Sequence, residues 1–144
     1  VDFPDPNNFA LGKLYTTRFY NLLKSKLKTD SAVVIQTTSP LVARESFWCI
    51  VKTLEAVGFT VKPYQTAVPS FGIWGYALAK LQAFDPPSKP PSGVELRFLN
   101  DNSFASMFDF PADTSRPDTD IEINRLDNQA LVRYYETEWR RVEQ

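Results

Sequence analysis

The sequence predicts an α/β fold with one hydrophobic core. Two segments with helical periodicity alternate with short apolar runs of strand length, and a turn containing proline and glycine joins the last two runs as an antiparallel pair. A chain of 144 residues, of which 43% are hydrophobic, is long enough for one modest core. The predicted order, turn–helix–strand–helix–strand–strand, is that of the closing half of an α/β sheet.

The first helix and strand follow a polar segment at residues 7–12. Thr16 is a suitable N-cap for this helix. The apolar face of the helix consists of Phe19, Leu22, Leu23 and Leu27. Residues 32–35 form a continuous apolar run, which is typical of a strand buried on both faces. Residues 36–40 form a polar turn at the carboxyl end of that strand.

A helix and a strand pair complete this first unit. The helix is predicted at residues 43–57, and Gly58 is the expected C′ residue that ends it. Residues 59–64 and 74–81 are predicted strands. The turn at residues 68–72 makes the second strand run antiparallel to the first.

The composition changes at Phe84, where a proline-rich connection over residues 85–93 begins. After it, residues 94–99 are predicted as a short strand and residues 103–108 as a helical turn. Residues 111–120 are acidic and irregular.

The chain ends in a predicted helix that Asp127 caps. The apolar stripe of this helix consists of Val132, Tyr135, Trp139 and Val142. We therefore divide the chain into a sheet-forming unit, residues 1–83, and a C-terminal extension, residues 84–144.

Composition excludes several classes of function. A net charge of -1 argues against a nucleic-acid-binding surface, which would be distinctly basic. The chain has no histidine, and its one cysteine, Cys49, cannot form an internal disulfide. Histidine-based triads need a histidine, and ordinary zinc sites need histidines or several cysteines. Both are therefore excluded, and no metal site is expected. Acid–base chemistry must therefore come from carboxylates, lysine or tyrosine.

The motif Asp-x-x-Asp-Pro at the start of the chain carries the main functional hypothesis. Asp2 and Asp5 flank a two-residue turn, and Pro6 follows. An ammonium ion must be attracted and then deprotonated before its nitrogen can attack, and two carboxylates at the mouth of a sheet can do both. No strand precedes the motif, so the chain is expected to be the C-terminal part of a larger protein.

Four segments, in this order and at this spacing, resemble the spermidine synthase family. They are DFPDP at residues 2–6, LYTTRFY at 14–20, QTTSP at 36–40 and PSFGIW at 69–74. Two further segments resemble the C-terminal extension of bacterial members that carry an N-terminal membrane domain. They are NRLDNQ at residues 124–129 and YYE at residues 134–136.

The resemblance implies the C-terminal half of a Rossmann-like, methyltransferase-type sheet with an α-helical C-terminal extension. It implies transfer of an aminopropyl group from decarboxylated S-adenosylmethionine to a diamine such as putrescine. Asp2 would act on the attacking amine as the catalytic residue. The substrate-binding candidates are Asp5, Gln36, Pro69 and Ser70. The chain would be a cytoplasmic domain, and its parent protein could lie in the inner membrane.

Two positions depart from the family pattern. Thr38 stands where typical members have glutamate, and Val68 stands where many have tyrosine. The acceptor amine is therefore left open by the sequence. Two alternatives also stay open, namely a degenerate, non-catalytic interaction module and an S-adenosylmethionine-dependent methyltransferase.

The part of the family site that receives the adenosyl group is not found in this sequence. The five glycines of the chain are not clustered, so the glycine-rich loop that binds the cofactor in this family does not occur. The isolated chain is therefore expected to bind no cofactor and to be inactive without the missing N-terminal half of its domain. The strand at residues 32–35 should also lack a neighbour, and this open edge predicts a homo-oligomer.

Overall fold

A three-stranded sheet with helices on one face forms the centre of the fold. The computed structural model describes residues 1–142. The strands are β1 (Ala32–Gln36), β2 (Thr60–Val68) and β3 (Gly72–Lys80). Their order in the sheet is β1-β3-β2, and β3 runs antiparallel to both of its neighbours. The predicted α/β fold and the predicted antiparallel pair are confirmed.

Five α-helices and one 3₁₀ turn complete the described part of the chain. The helices are α1 (Phe9–Gly12), α2 (Thr17–Lys24), α3 (Arg44–Ala56), α4 (Asp101–Ser106) and α5 (Ala130–Trp139), and the 3₁₀ turn is Lys13–Tyr15. Within residues 1–142, no helix has the length and apolar character required to cross a membrane.

The burial predicted for the first strand is wrong on one face. Val33 and Ile35 are buried, but Val34 is 40% exposed and Ala32 is also exposed. Val33 and Ile35 belong to the core that contains residues of α3, and Val34 points to the opposite face. The described helices therefore cover only one side of β1, and the strand has the alternating burial of a half-covered sheet.

The sheet and α3 approach closely because β3 contains Gly75. A Cβ atom at this position would lie 2.4 Å from Cε2 of Phe47, a fully buried residue of α3, and 2.8 Å from the carbonyl oxygen of Thr38. The absence of a side chain at Gly75 therefore allows both the α3 ring and the turn after β1 to lie against β3. The core that results is apolar and contains Ile35, Phe47, Ile50, Val51, Leu54 and Ala77.

The other edge of β1 is bonded to the first residue of the chain. The amino group of Val1 donates to the carbonyl oxygen of Val34 at 2.7 Å, and the backbone N–H of Gln36 donates to the carbonyl oxygen of Val1 at 3.1 Å. This alternation is the hydrogen-bond pattern of a parallel pair. It fixes the start of the Asp-x-x-Asp-Pro turn beside the carboxyl end of β1.

The predicted start of the first long helix and the predicted end of the second are confirmed, but Leu27 lies beyond the end of α2 at Lys24, and Leu22 is 55% exposed. The hydroxyl of Thr16 accepts a hydrogen bond from the backbone N–H of Phe19 at 3.3 Å, as expected for an N-cap. Gly58 follows α3 with a φ of 92°, the left-handed conformation that glycine favours. The Lys24 ammonium also donates to the carbonyl oxygen of Val57, where a cation suits the helix dipole.

The C-terminal extension lies along the side of α3 that carries Arg44 and Trp48. Arg44 Nε donates to the carbonyl oxygen of Ser115 at 2.6 Å, and Trp48 Nε1 donates to that of Thr114 at 2.9 Å. Residues 111–120 are irregular, as predicted, and two of their backbone carbonyls accept hydrogen bonds from these side chains of α3. The boundary between residues 83 and 84 stays a prediction.

Two details of the extension differ from the sequence-based prediction. Residues 94–99 do not form a strand. At the outer edge of β2, the N–H of Gln65 donates instead to the carbonyl oxygen of Met107. The helical turn predicted at residues 103–108 exists as α4, but it begins at Asp101 because Asn100 provides a capping box.

The predicted cap of the last helix is also wrong. Helix α5 begins at Ala130, and its N-cap residue is Gln129, with a φ of 45° and no side-chain cap. The side chain of Asn128, rather than Asp127, accepts hydrogen bonds from the N–H groups of Arg125 and Ala130. A tight turn therefore precedes the helix and moves its start beyond Asp127.

The apolar stripe of α5 is only partly buried. Val132 is buried, Tyr135 and Trp139 are half-buried, and Val142 is 58% exposed beyond the end of the helix. Glu136 and Arg140, four residues apart on the exposed side of this helix, form a surface ion pair with 3.9 Å between Arg140 Nη2 and Glu136 Oε2.

Glu138 on α5 provides the cap that α3 lacks in its own sequence. Its carboxylate accepts hydrogen bonds from the backbone N–H groups of Glu45 and Ser46, at 2.6 and 3.1 Å, and from the Ser46 hydroxyl at 2.6 Å. The N-cap residue of α3, Ala43, has no side chain that could do this. A carboxylate at a helix N-terminus also interacts favourably with the helix dipole.

We predict that Glu138→Ala lowers the free energy of unfolding by about 1–3 kcal/mol, since it leaves buried donors at the start of α3 without an acceptor. The matched control is Glu136→Ala, two residues earlier on the same helix, where the carboxylate is exposed and the expected change is within about 0.5 kcal/mol. Urea unfolding followed by tryptophan fluorescence measures both variants. Equal losses in the two variants would contradict the capping role.

Candidate functional site

A cleft of about 520 Å³ lies where the Asp-x-x-Asp-Pro turn, the end of β1 and the β2–β3 hairpin meet. Its lining consists of Asp2, Asp5, Gln36, Val68, Phe71, Trp74 and Tyr76. Three of the five site residues predicted from the sequence, Asp2, Asp5 and Gln36, therefore lie in one cleft.

The other two predicted residues lie outside the lining. Pro69 and Ser70 are exposed at the tip of the hairpin. Their neighbours Val68 and Phe71 line the cleft instead. A role for Pro69 and Ser70 in substrate binding stays a prediction.

The side chain of Tyr15 holds the backbone of the acidic turn in place. It is buried in the 3₁₀ turn before α2, and its hydroxyl donates to the carbonyl oxygens of Pro4 at 3.0 Å and Phe3 at 3.3 Å. The ring of Phe3 packs edge-to-face against Phe19 of α2, with 5.4 Å between centroids. The turn between the two carboxylates is therefore anchored at both its main chain and its central side chain.

Asp5 is a half-buried carboxylate with two hydroxyl donors on one oxygen. Its Oδ2 accepts hydrogen bonds from Thr38 Oγ1 at 3.0 Å and from the Tyr135 hydroxyl at 2.9 Å. Burial raises the pKa of Asp5 above its ordinary value, although the side chains of Tyr135, Thr38 and Gln36 act in the opposite direction. Asp5 is thus held in a fixed orientation at the floor of the cleft.

The turn that carries Thr38 is strained. Thr38 has a φ of 68°, which is unusual for a β-branched residue. The turn is bonded to β3 on both sides: Gly75 N–H donates to the carbonyl oxygen of Thr38 at 2.9 Å, and Thr37 N–H donates to that of Gly75 at 3.1 Å. Strain of this kind costs about 1–3 kcal/mol and persists only where surrounding contacts impose it. Here it directs the threonine hydroxyl to Asp5.

Aromatic rings form the wall opposite the carboxylates. Trp74 packs against Phe71 with 5.2 Å between ring centroids, and Tyr76 stacks on Tyr64 at the same distance. Trp74 and Tyr76 both line the cleft. Burial raises the pKa of Tyr76, and the nearby charge of Asp2 adds to this shift, so that the phenol stays neutral. Carboxylates facing aromatic rings suit a cationic ligand.

Sequence reasoning missed two residues that shape the site. Tyr15 lies within a segment that was recognised, but nothing in its spacing indicates that its hydroxyl bonds the acidic turn. Tyr135 was assigned to an apolar stripe, and the helical spacing gives no signal for its hydrogen bond to Asp5, 130 residues earlier. Both contacts depend on the tertiary fold.

Comparisons with known proteins agree with these features. Residues 1–86 match the family model described as the spermine/spermidine synthase domain. The chain is 50% identical over 142 residues to the polyamine aminopropyltransferase of Leptospira interrogans, covering 99% of this chain and 28% of that protein. It is 46% identical over 144 residues to polyamine aminopropyltransferase 2 of Ralstonia nicotianae, again covering 99% of this chain and 28% of the relative. The chain therefore spans less than a third of the length of these relatives.

The fold is similar to that of a solved enzyme. A crystal structure of spermidine synthase in complex with the transition state analogue AdoDATO superimposes with a TM-score of 0.54 and 26% sequence identity. The superposition covers 68% of this chain and 37% of that one. The predicted methyltransferase-type α/β fold class is confirmed by this likeness.

We predict that the carboxyl group of Asp5 titrates above its ordinary pKa of 3.8 in the folded chain. Between the ordinary and the raised pKa the folded state binds more protons than the unfolded state, so the contribution of Asp5 to stability is present at low pH and is lost as the pH rises through the raised pKa. The free energy of unfolding of the wild type should therefore fall relative to that of Asp5→Asn across this window. Denaturant unfolding at a series of pH values measures the difference, and a rise with pH would contradict the assignment.

Proposed function

Because this chain belongs to the spermine/spermidine synthase domain family, we propose that it forms the amine-binding part of a polyamine aminopropyltransferase. The complete enzyme would transfer an aminopropyl group from decarboxylated S-adenosylmethionine to a diamine such as putrescine. The observation that carries the proposal is the cleft that joins Asp2, Asp5 and Gln36 opposite aromatic rings. Such a cleft suits a cationic amine better than a neutral or anionic substrate.

Asp2 is the proposed proton acceptor. An amine nitrogen that attacks the aminopropyl carbon must lose a proton, and an exposed carboxylate at the rim of the cleft can take it. As the new C–N bond forms, the bond from that carbon to the sulfonium breaks, and its electron pair remains on sulfur in methylthioadenosine. The leaving group is already activated, so the chain has mainly to bind, orient and deprotonate the amine.

Asp5 and Gln36 are the proposed amine-holding residues. Both of the hydroxyl donors to Asp5 bond Oδ2, and the Gln36 side chain also interacts with the carboxylate. A carboxylate oxygen can accept more than one hydrogen bond, so Oδ1, which neither hydroxyl uses, can accept one from an ammonium ion in the cleft. Pro69 and Ser70 remain proposed contacts at the hairpin tip.

Three further features belong to the proposed complete enzyme. The adenosyl half of the site would come from other parts of that protein, since the glycines of this chain are not clustered. An N-terminal membrane domain is proposed from the resemblance to bacterial members alone. A homo-oligomer is proposed because, within the described residues, the outer edge of β1 is bonded to Val1 and to no further strand, so that this edge can pair with a second chain.

We predict that Asp2→Asn lowers kcat about a hundred- to ten-thousand-fold in an enzyme of the relatives' length that carries this chain, since positioned acid–base groups contribute on that order. The variant keeps the size of the side chain and removes its basicity. Asp85→Asn, an exposed acid in the proline-rich connection, is the control and should leave kcat unchanged. Transfer is measured with decarboxylated S-adenosylmethionine and putrescine.

The same assay distinguishes the alternative functions. Turnover of Asp2→Asn within a few-fold of wild type would remove Asp2 from the mechanism. Methyl transfer from S-adenosylmethionine, without aminopropyl transfer, would identify a methyltransferase. No transfer with either donor across several diamines would favour a non-catalytic module.

We also predict that the isolated chain does not bind decarboxylated S-adenosylmethionine or methylthioadenosine measurably. The physical reason is the absence of a glycine-rich turn that would let the backbone approach the adenosyl group. Isothermal titration calorimetry measures this directly. Micromolar affinity for either compound would mean that the adenosyl site lies within these residues.

A further inference from the structure

The C-terminal extension reaches the candidate amine site through one side chain. Tyr135 lies on α5, beyond the residues that the family model matches, and its hydroxyl donates to Asp5 Oδ2 at 2.9 Å. Asp5 itself lies at the opposite end of the chain. The extension therefore contacts a carboxylate of the cleft directly, instead of only covering the sheet.

The position of Tyr135 is fixed by the helix that carries it. Glu138, one turn further along α5, is 5% exposed and bonds the start of α3. Leu131, on the preceding turn of the same helix, is fully buried in the core. The ring of Trp139 packs on the ring of Tyr135, with 5.6 Å between centroids. A phenol that packs on a neighbouring ring, on a helix anchored by Glu138 and Leu131, delivers its hydroxyl with little freedom.

Tyr135 acts as a hydrogen-bond donor in this contact. Burial raises its pKa, and the charge of Asp5 raises it further, so that the phenol keeps its proton. Thr38 donates to the same oxygen from the strained turn after β1. With Oδ2 occupied from two sides, rotation of the Asp5 carboxylate is restricted, and Oδ1, which neither hydroxyl uses, can accept a hydrogen bond from a ligand.

We propose that Tyr135 is a positioning residue of the amine site, which orients Asp5 so that Oδ1 meets the ammonium group of the acceptor. This inference rests on the proposed aminopropyl transfer. It assigns to the extension a direct part in amine recognition. Loss of the phenol hydroxyl should weaken binding of the amine, and it should leave binding of the aminopropyl donor unchanged.

The test uses an enzyme of the relatives' length that carries Tyr135→Phe. We expect KM for putrescine to rise about tenfold, while KM for decarboxylated S-adenosylmethionine stays within about twofold. The matched control is Tyr134→Phe at the adjacent position. The Tyr134 hydroxyl is bonded to the backbone N–H of Glu122, away from the cleft, and its loss should leave both KM values unchanged.

A double-mutant cycle separates positioning from a purely structural role. If Tyr135 acts through Asp5, Tyr135→Phe should raise KM for putrescine in the wild type and should have no further effect in an Asp5→Asn background. A merely structural role would give equal effects in the two backgrounds. Equal effects, or an unchanged KM for putrescine in an active Tyr135→Phe enzyme, would overturn the proposal.

A second pair of variants tests the hydrogen bonds to Asp5 Oδ2 without altering α5. Thr38→Val removes the other donor and should also raise KM for putrescine, whereas Thr38→Ser keeps the hydroxyl and should not. This pair decides the question if Tyr135→Phe fails to fold, and an unchanged KM in Thr38→Val would then overturn the proposal. A wild-type enzyme that transfers no aminopropyl group would refute the proposed function itself, a result distinct from an active enzyme with unaffected variants.

Discussion

The partial burial of Asp5 is the constraint on which the site depends. A carboxylate taken out of water must regain hydrogen bonds, and here they come from residues distant in sequence, Thr38 and Tyr135. To supply them, the turn after β1 adopts a left-handed conformation at Thr38, and α5 lies close enough to the acidic turn for its phenol to reach the carboxylate. Residues that are 130 positions apart in sequence, Asp5 and Tyr135, are thereby hydrogen-bonded at Asp5 Oδ2.

Helix α3 links this site to the rest of the fold. It covers the sheet closely because β3 has Gly75 opposite Phe47, and it depends on Glu138 of α5 for its N-terminal cap. The same short helix α5 therefore stabilises the start of α3 and supplies a donor to Asp5. A change that displaces α5 would affect the helix cap and the cleft together, which is why single hydroxyl deletions are more informative than removal of the helix.

Features set by local sequence could be predicted, and those set by distant contacts could not. Thr16 as N-cap, Gly58 after α3 and the β2–β3 turn each depend on a few neighbouring residues, and all three were predicted correctly. Asp127 was a plausible cap by residue type, but Asn128 formed the competing turn. Val34 was read as buried because a continuous apolar run does not show which face other elements cover. Sequence motifs were enough to predict Asp2, Asp5 and Gln36 as site residues, and the three line one cleft, whereas the contacts of Tyr135 and Glu138 required the tertiary structure.

The structure shows what Thr38 does at the position where typical family members have glutamate. The sequence indicates the loss of a carboxylate at this position, which would reduce the negative charge available to a cationic amine. The structure places a hydroxyl there that donates to the remaining carboxylate, Asp5, and so fixes its orientation. A second charge close to Asp5 would instead have raised the cost of keeping both acids ionised. The cleft therefore has fewer charged groups but a more rigid carboxylate, and under the proposed function its selectivity among amines should depend on the orientation of Asp5 more than on total charge.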